Sequence, residues 1–258
     1  MNGAFGEHVT VQVAGNVAVV TIHKPPHNHV SVELMRDLAD ALAAIDGEVA
    51  LRCSVLQSEG KNFCAGADLV NRESAGGLGA VNPLYDEAVR LFSAKKPVVA
   101  AVQGAAVGAG LGLAVMADFR VASPDARFAA NFVKLGFHPG FGLTHTLPRL
   151  VGPTKAELMC LTGRRVKAEE GLPWGLVDEI VPLAELRGAA LRLASEIAEN
   201  APLAIVSTRK TMRGDLAAAV RAQTDIEAEE QGWLRDTEDY KEGVRSVAER
   251  RVGNFVGR

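Results

Sequence analysis

A continuous apolar run at 97–103, PVVAAVQ, constrains the fold more than any other segment. A strand with one wet face alternates apolar and polar residues, whereas an uninterrupted run indicates a strand buried on both faces, as in a parallel sheet covered by helices. The run leads into GAAVGAGLGLAVMAD at 104–118, which is typical of a tight strand-to-helix connection. The sequence therefore predicts an α/β fold.

Two further elements at the start of the chain have clear local signals. Val9, Val11 and Val13 alternate with polar residues, and Gly15-Asn16 supplies a turn, so 9–22 is a predicted hairpin. Ser31 is suited to cap a helix that ends near Gly47, in which apolar residues recur at helical spacing. These apolar residues are Leu34, Leu38, Leu42 and Ile45.

The rest of the chain is predicted to alternate between short strands and helices, followed by a helical tail. Strands are expected at 53–57, 119–122 and 126–130, and helices at 83–94 and 155–161, with a polar, glycine-rich loop at 71–81. From Pro182 onward the pattern is almost wholly helical, with breaks at Pro202, Gly214 and Asp236. Such a tail needs a surface on which to pack, and a partner subunit is a reasonable candidate.

Composition excludes several classes of function. The 258 residues carry a net charge of −3 with a pI near 6.1, so no broad basic field favours nucleic acid or a membrane surface as a partner. We expect a cytoplasmic protein, since we find no signal peptide and no apolar run near the roughly 20 residues of a membrane helix. Cys53, Cys64 and Cys160 are odd in number and lack CxxC spacing. We therefore expect neither a disulfide framework nor a metal site.

The glycines at 104, 108, 110 and 112 have three interpretations. A dinucleotide loop, and with it an NAD-dependent oxidoreductase, is the least favoured, because the spacing is not GxGxxG and no GK[ST] follows. The glycines serve close packing in the second interpretation, and in the third they bring free N–H groups at a helix start to an oxyanion. GKNFCAGADL at 60–69 has the same character after the 53–57 strand, so two strand ends can offer one N–H each.

Several segments together resemble the crotonase superfamily, the enoyl-CoA hydratase/isomerase family. In chain order they are PPHN at 25–28, FCAGADL at 63–69, KPVVAAVQGAAVGAGLGLAVMADFRVAS at 96–123, KLGFHPGFG at 134–142, LPRLVG at 147–152, LTGRRVKAEEG at 161–171, WGLV at 174–177, APLA at 201–204 and EDYKEGVRS at 238–246. The resemblance runs from about Thr10 to Arg251.

The resemblance implies a crotonase-like core of repeated ββα units over 1–200 and a C-terminal helical oligomerisation region over 201–258. It implies a homotrimer, or a hexamer built as a dimer of trimers. The implied partner is an acyl-CoA thioester, with coenzyme A as part of the substrate and no separate cofactor. The implied intermediate is a thioester enolate.

The site residues implied by the resemblance fall into two groups. The backbone N–H groups of Ala67 and Ala109 would form an oxyanion hole, and alanine serves at the second position, where glycine is usual, because only the N–H is needed. The residues expected along the substrate and coenzyme A path are Asn28, His29, Val30, Cys64, Ala65, Gly66, Asp68, Gly108, Gly112 and Phe132.

The sequence departs from the family pattern at the acid/base positions. Hydratases of the family use two glutamates, and the corresponding residues here are Gly112 and Phe132. Because each positioned acid or base contributes about 10²–10⁴-fold, efficient two-glutamate hydration is not expected. The favoured replacement is His138, because histidine is a common general acid and base, and the alternative is that His138 only shapes its turn.

Other side chains are weaker candidates for chemistry. His145 is assigned a structural role, one of His27 and His29 is a possible ligand contact, and Asp86, Glu87 or Tyr85 could enter the site from the 83–94 helix. The leading hypothesis is an acyl-CoA enzyme, with isomerisation, decarboxylation, C–C cleavage and thioester hydrolysis all open. The alternative is a catalytically silent acyl-CoA-binding or assembly protein with the same fold.

Overall fold

The computed structural model of the chain describes residues 1–67 and 81–258. The strands within these residues are β1 (Gly3–Phe5), β2 (Val9–Ala14), β3 (Val17–Ile22), β4 (Cys53–Ser58), β5 (Val98–Val102), β6 (Ala105–Val107), β7 (Phe119–Ala122), β8 (Arg127–Ala129), β9 (Val166–Lys167) and β10 (Glu179–Ile180). The α-helices are α1 (Val32–Gly47), α2 (Val81–Phe92), α3 (Ala109–Met116), α4 (Leu143–Val151), α5 (Pro153–Thr162), α6 (Ala168–Gly171), α7 (Leu186–Ala198), α8 (Pro202–Arg213), α9 (Leu216–Leu234) and α10 (Glu238–Ala248).

The larger sheet runs in the order β1-β2-β3-β4-β5-β7-β10 within the described residues. Its first three strands are antiparallel, and β3, β4, β5, β7 and β10 are mutually parallel. A smaller sheet, in the order β6-β8-β9, lies beside it. The predicted α/β class is confirmed, and the parallel strands deliver their following segments to one edge of the sheet.

Strand β5 is buried on both faces, as its apolar run predicts. Val98, Ala100 and Val102 belong to the core under α1 and α2, whereas Val99 and Ala101 pack with α7 on the other face. All five are fully buried. This central strand therefore holds the two apolar layers on either side of the sheet.

The local predictions for 9–22 and for the first helix are confirmed. Strands β2 and β3 pair antiparallel across the Gly15-Asn16 turn, and the Ser31 side chain accepts a hydrogen bond from the N–H of Leu34. The glycine-rich segment differs from its prediction, because β6 intervenes between Gly104 and the start of α3. The loop predicted at 71–81 lies almost wholly outside the described residues.

Three helices follow Pro202, with breaks near Gly214 and Asp236, as predicted. Large apolar side chains stay exposed on α8 and α9, namely Leu203, Met212, Ile226 and Trp233. Such a surface is compatible with subunit packing, and the trimer or hexamer stays a prediction. In the part of the chain that the structure describes, no helix combines the length and apolar character needed to cross a bilayer.

The cysteine thiols are expected to be unreactive in the native protein. Burial raises the pKa of Cys53 to about 12 and the pKa values of Cys64 and Cys160 to about 11. Because the thiolate is the reactive form, a disulfide reagent at pH 8 should label native protein slowly and denatured protein at all three cysteines. A fast-reacting native thiol would contradict this, and a Cys160→Ala variant shows whether the least buried thiol is responsible.

Candidate active site

Two chain segments meet after the ends of β4 and β5. The N–H of Phe63 donates to the carbonyl of Gln103 at 2.7 Å, and the N–H of Cys64 donates to the carbonyl of Ala105 at 2.9 Å. The carbonyl of Cys64 in turn accepts from the N–H of Val107 at 3.1 Å. The two glycine-rich segments predicted to supply N–H groups are therefore held side by side by backbone hydrogen bonds.

Ala109 is the first residue of α3, so its N–H has no partner within the helix. Gly108 precedes it at φ 57° and ψ −122°, a conformation that favours glycine, and its carbonyl accepts from the N–H groups of Leu111 at 3.0 Å and Gly112 at 3.2 Å. Because the carbonyl and N–H of one trans peptide point in opposite directions, the N–H of Ala109 points out of the helix start. The positive end of the helix dipole lies at the same place.

The N–H of Ala67 is oriented by the same rule. The carbonyl of Gly66, in the same peptide plane, accepts from the N–H of Val30 at 3.0 Å and lies 3.1 Å from Nδ1 of His29. The N–H of Ala67 therefore points away from Val30. A Cβ on Gly66 would lie 2.7 Å from the carbonyl oxygen of Val107, so glycine is required at this close approach of the two segments.

Aromatic side chains occupy the surroundings of the two positions predicted to replace the hydratase glutamates. A Cβ on Gly112 would lie 2.7 Å from Cγ of Phe141, which is fully buried. The ring of Phe132 is 7% exposed and would lie 3.8 Å from a Cβ on Gly108, beside the start of α3. Phe132 also stacks edge-on against Phe137, with ring centroids 5.5 Å apart. This side of the site is apolar.

His138 follows Phe137 in a turn that contacts α3 through Phe141. Its Nδ1 lies 2.8 Å from the carbonyl oxygen of Pro139. Because a carbonyl only accepts hydrogen bonds, Nδ1 carries the proton, and Nε2 of the neutral ring holds a lone pair. His138 is half-buried, and Nε2 has no hydrogen-bond partner among the described residues. Such a nitrogen can accept a proton and return it.

The residues predicted along the substrate path have different surroundings. Asn28 is fully buried, with its side-chain oxygen accepting from the N–H of Lys24 and its side-chain nitrogen donating to the carbonyls of Glu59 and Asn62. Its backbone N–H donates to the carbonyl of Lys24 at 2.8 Å, so among its polar groups only the backbone carbonyl is left for a ligand contact. Val30 and Cys64 are buried, whereas Ala65 is half-buried and Ala67 is exposed. Asp68 lies outside the described residues, and these ligand contacts stay predictions.

Two of the weaker candidates, Asp86 and Glu87, are engaged elsewhere. Asp86 pairs with Arg221 at 2.7 Å, and Glu87 pairs with Arg36 at 3.0 Å and also with Arg90. These partners place both carboxylates in surface ion pairs.

The rings of His27 and His29 contact each other, with centroids 5.5 Å apart. Among the described residues we find no group of three metal-ligating side chains.

One helix contributes side chains that the sequence did not single out. Glu227 and Gln231 of α9 are buried, and they make hydrogen bonds to Gly142 and to His138, respectively. Burial raises the pKa of the Glu227 carboxyl, against the lowering effect of the groups that donate to it. The available signal is the four-residue spacing of polar side chains on one face of α9, a pattern that is also typical of a solvated helix face.

Comparison with known proteins decides the family. The sequence model of the enoyl-CoA hydratase/isomerase family matches residues 12–258. The chain belongs to the enoyl-CoA hydratase/isomerase family. Crotonyl-CoA hydratase of Syntrophomonas wolfei is 32% identical over 98% of this chain and 99% of its own length. The 1,2-epoxyphenylacetyl-CoA isomerase of Escherichia coli is 31% identical over 98% of this chain and 99% of its own length.

Solved structures of the family share the fold. An enoyl-CoA hydratase/isomerase from Pseudoalteromonas atlantica superposes with a TM-score of 0.86 at 29% identity, covering 97% of this chain and all of that one. The predicted crotonase-like fold is therefore confirmed. Members of the enoyl-CoA hydratase/isomerase family include hydratases and isomerases, so this chain is an enzyme of the lyase or isomerase type.

Proposed function

We propose that this enzyme binds an acyl-CoA thioester with its carbonyl oxygen between the N–H groups of Ala67 and Ala109, and that it stabilises the enolate formed there. The observation that carries the proposal is the orientation of two neighbouring peptide planes, whose carbonyls are engaged by Val30 and by the first turn of α3. The N–H of Ala67 therefore points away from Val30, and the N–H of Ala109 points away from the body of α3. Donors fixed before the reaction stabilise developing charge without reorganising.

A coenzyme A thioester is the substrate class that fits this arrangement. The relatives named above are a crotonyl-CoA hydratase and a 1,2-epoxyphenylacetyl-CoA isomerase, and both names specify a coenzyme A derivative. The site offers an apolar wall at Phe132 for the acyl group. It has no carboxylate at 112 or 132 to activate water. We therefore infer that this chain is not an efficient two-glutamate hydratase.

His138 is the proposed acid/base. Its Nε2 would remove a proton from the α-carbon, the C–H electron pair would move into the C–C bond, and the carbonyl electron pair would move onto the oxygen held by Ala67 and Ala109. The protonated ring would then return the proton to the same or another carbon. One group that removes and returns a proton suits isomerisation better than addition of water.

Exchange of the α-hydrogens of butyryl-CoA for deuterium tests the proposal. We expect exchange in deuterated buffer, measured by NMR, and a loss of about 10²–10⁴-fold in His138→Ala. His145→Ala is the matched control, since this histidine is assigned a structural role. Butyryl-CoA should also raise the melting temperature, as a ligand selective for the native state does.

Three outcomes are distinguishable. An unmoved melting curve at saturating butyryl-CoA contradicts thioester binding. A shifted curve with no exchange favours the silent binding protein. Hydration of crotonyl-CoA at a rate comparable to the family's two-glutamate hydratases would show that the interpretation of Gly112 and Phe132 is wrong.

A further inference from the structure

The second half of α9, together with Arg235 directly after it, carries buried polar side chains. Glu227, Gln231 and Arg235 recur at four-residue spacing and are 0%, 1% and 7% exposed, respectively. Helices that pack on a core usually bury an apolar stripe, and burying polar groups costs free energy unless each is hydrogen-bonded. The partners of these side chains therefore indicate what this face of α9 is for.

The segment from His138 to Gly142 is called the His138 turn. Glu227 makes hydrogen bonds at its C-terminal end. Its carboxylate accepts from the N–H groups of Gly142 at 2.7 Å and Thr144 at 3.0 Å, and from the hydroxyl of Thr144 at 2.5 Å. Phe141 and Gly142 adopt φ values of 65° and 69°, which is unusual for phenylalanine. The carboxylate thus satisfies backbone donors in a segment whose conformation is intrinsically unfavourable.

Gln231 lies one helical turn after Glu227 and makes a hydrogen bond at the N-terminal end of the His138 turn. Its Nε2 donates to the carbonyl of His138 itself at 2.8 Å. Its Oε1 accepts from the hydroxyl of Tyr85 and from Nη2 of Arg235, both at 3.0 Å. Because two donors converge on Oε1, the amide can present only its nitrogen to His138. The orientation of Gln231 is therefore fixed from α2 and from α9.

We propose that Gln231 is a positioning residue that fixes His138 by binding its backbone carbonyl, which rests on the proposed role of His138 as the acid/base. The ring of His138 is bonded only to Pro139, its own neighbour, within the described residues. The placement of Nε2 therefore follows the placement of the turn. A displacement of about 1 Å at a reacting group can cost about 10²-fold in rate.

Three α9 variants test this role. Gln231→Leu removes the donor to His138, and we expect the maximal rate of butyryl-CoA exchange to fall about 10–100-fold with little change in the concentration that half-saturates it. Gln223→Leu makes the same change at a half-buried position two turns earlier and should leave exchange unaltered. Gln231→Glu keeps the acceptor for Tyr85 and Arg235 but donates to His138 only when its carboxyl is protonated.

The pH profile separates positioning from a general loss of stability. Tyr85, Arg235, Glu227 and His138 face this position and are present in every variant, so rates are compared as ratios to wild type at each pH. The ratio for Gln231→Glu should rise as the pH falls, whereas the ratio for Gln231→Leu should stay flat. If Gln231→Leu does not fold, Gln231→Glu alone still gives this profile.

The outcomes distinguish the positioning role from the proposed function. Exchange that survives His138→Ala overturns the acid/base assignment. Exchange that is lost in His138→Ala but unchanged in both Gln231 variants overturns only the positioning role. A flat ratio for Gln231→Glu, or a parallel loss in Gln223→Leu, also contradicts it.

Discussion

Ala109→Pro is expected to lower the rate of butyryl-CoA α-hydrogen exchange by about 10²–10³-fold, the usual effect of losing one oxyanion donor. Proline removes the N–H of Ala109, and the first position of a helix tolerates proline because its N–H has no partner within the helix. A residue before proline prefers an extended conformation. Gly108, at φ 57° and ψ −122°, has the mirror image of such a conformation, which is equally accessible to glycine because it has no Cβ. The change therefore deletes the donor and leaves α3 in place.

Ala109→Gly is the matched control, because it removes the side chain and keeps the N–H. It should retain exchange within a few-fold of wild type. The rate is compared at saturating butyryl-CoA, with far-UV circular dichroism and the melting temperature as checks on the fold. Equal rates for Ala109→Pro and wild type would exclude this N–H as an oxyanion donor.

Gly112→Glu should destabilise the protein and fail to create a hydratase. The Cγ of Phe141 lies 2.7 Å from the site of the new Cβ, so the glutamate must displace a buried ring. Overpacking of this kind costs about 1–3 kcal/mol, and a buried carboxylate without partners costs more. We expect the free energy of unfolding in urea to fall by about 3–5 kcal/mol, with no gain in crotonyl-CoA hydration.

Two variants bracket this result. Gly232→Glu introduces the same residue in α9 where a Cβ meets no atom within 4 Å, and it should be neutral or slightly stabilising. Gly112→Glu combined with Phe141→Ala should lose less stability than the sum of the single changes, because the two sites share one space. Additive losses would show that Phe141 is not the obstacle.

Much of the fold follows from local signals in the sequence. The β2-β3 hairpin, the Ser31 cap and the doubly buried β5 are each specified by alternation, a capping side chain or an apolar run. Strand β6 was not predicted, because three residues between two glycines show no measurable periodicity. Strands β9 and β10 were not predicted for the same reason, since each has only two residues.

The site was predictable only in part. Glycine-rich segments after β4 and β5 predicted a close approach of two backbone segments, whereas the assignment of the N–H groups to Ala67 and Ala109 depends on the family resemblance and stays a prediction. The contact of Phe141 with Gly112 and the bonds from α9 to the His138 turn join residues far apart in the chain. Such contacts depend on tertiary packing, and a single sequence carries no periodic signal for them.

The two candidate donors belong to the main chain, and their directions are set by the hydrogen bonds of Gly66 and Gly108. Any substitution at 67 or 109 except proline keeps both backbone N–H groups. Under the proposed function, charge stabilisation therefore depends on the backbone fold, whereas proton transfer depends on particular side chains. Under the proposed function, a protein built on this scaffold can exchange its carboxylates for other groups and keep the two N–H groups that bind the developing anion.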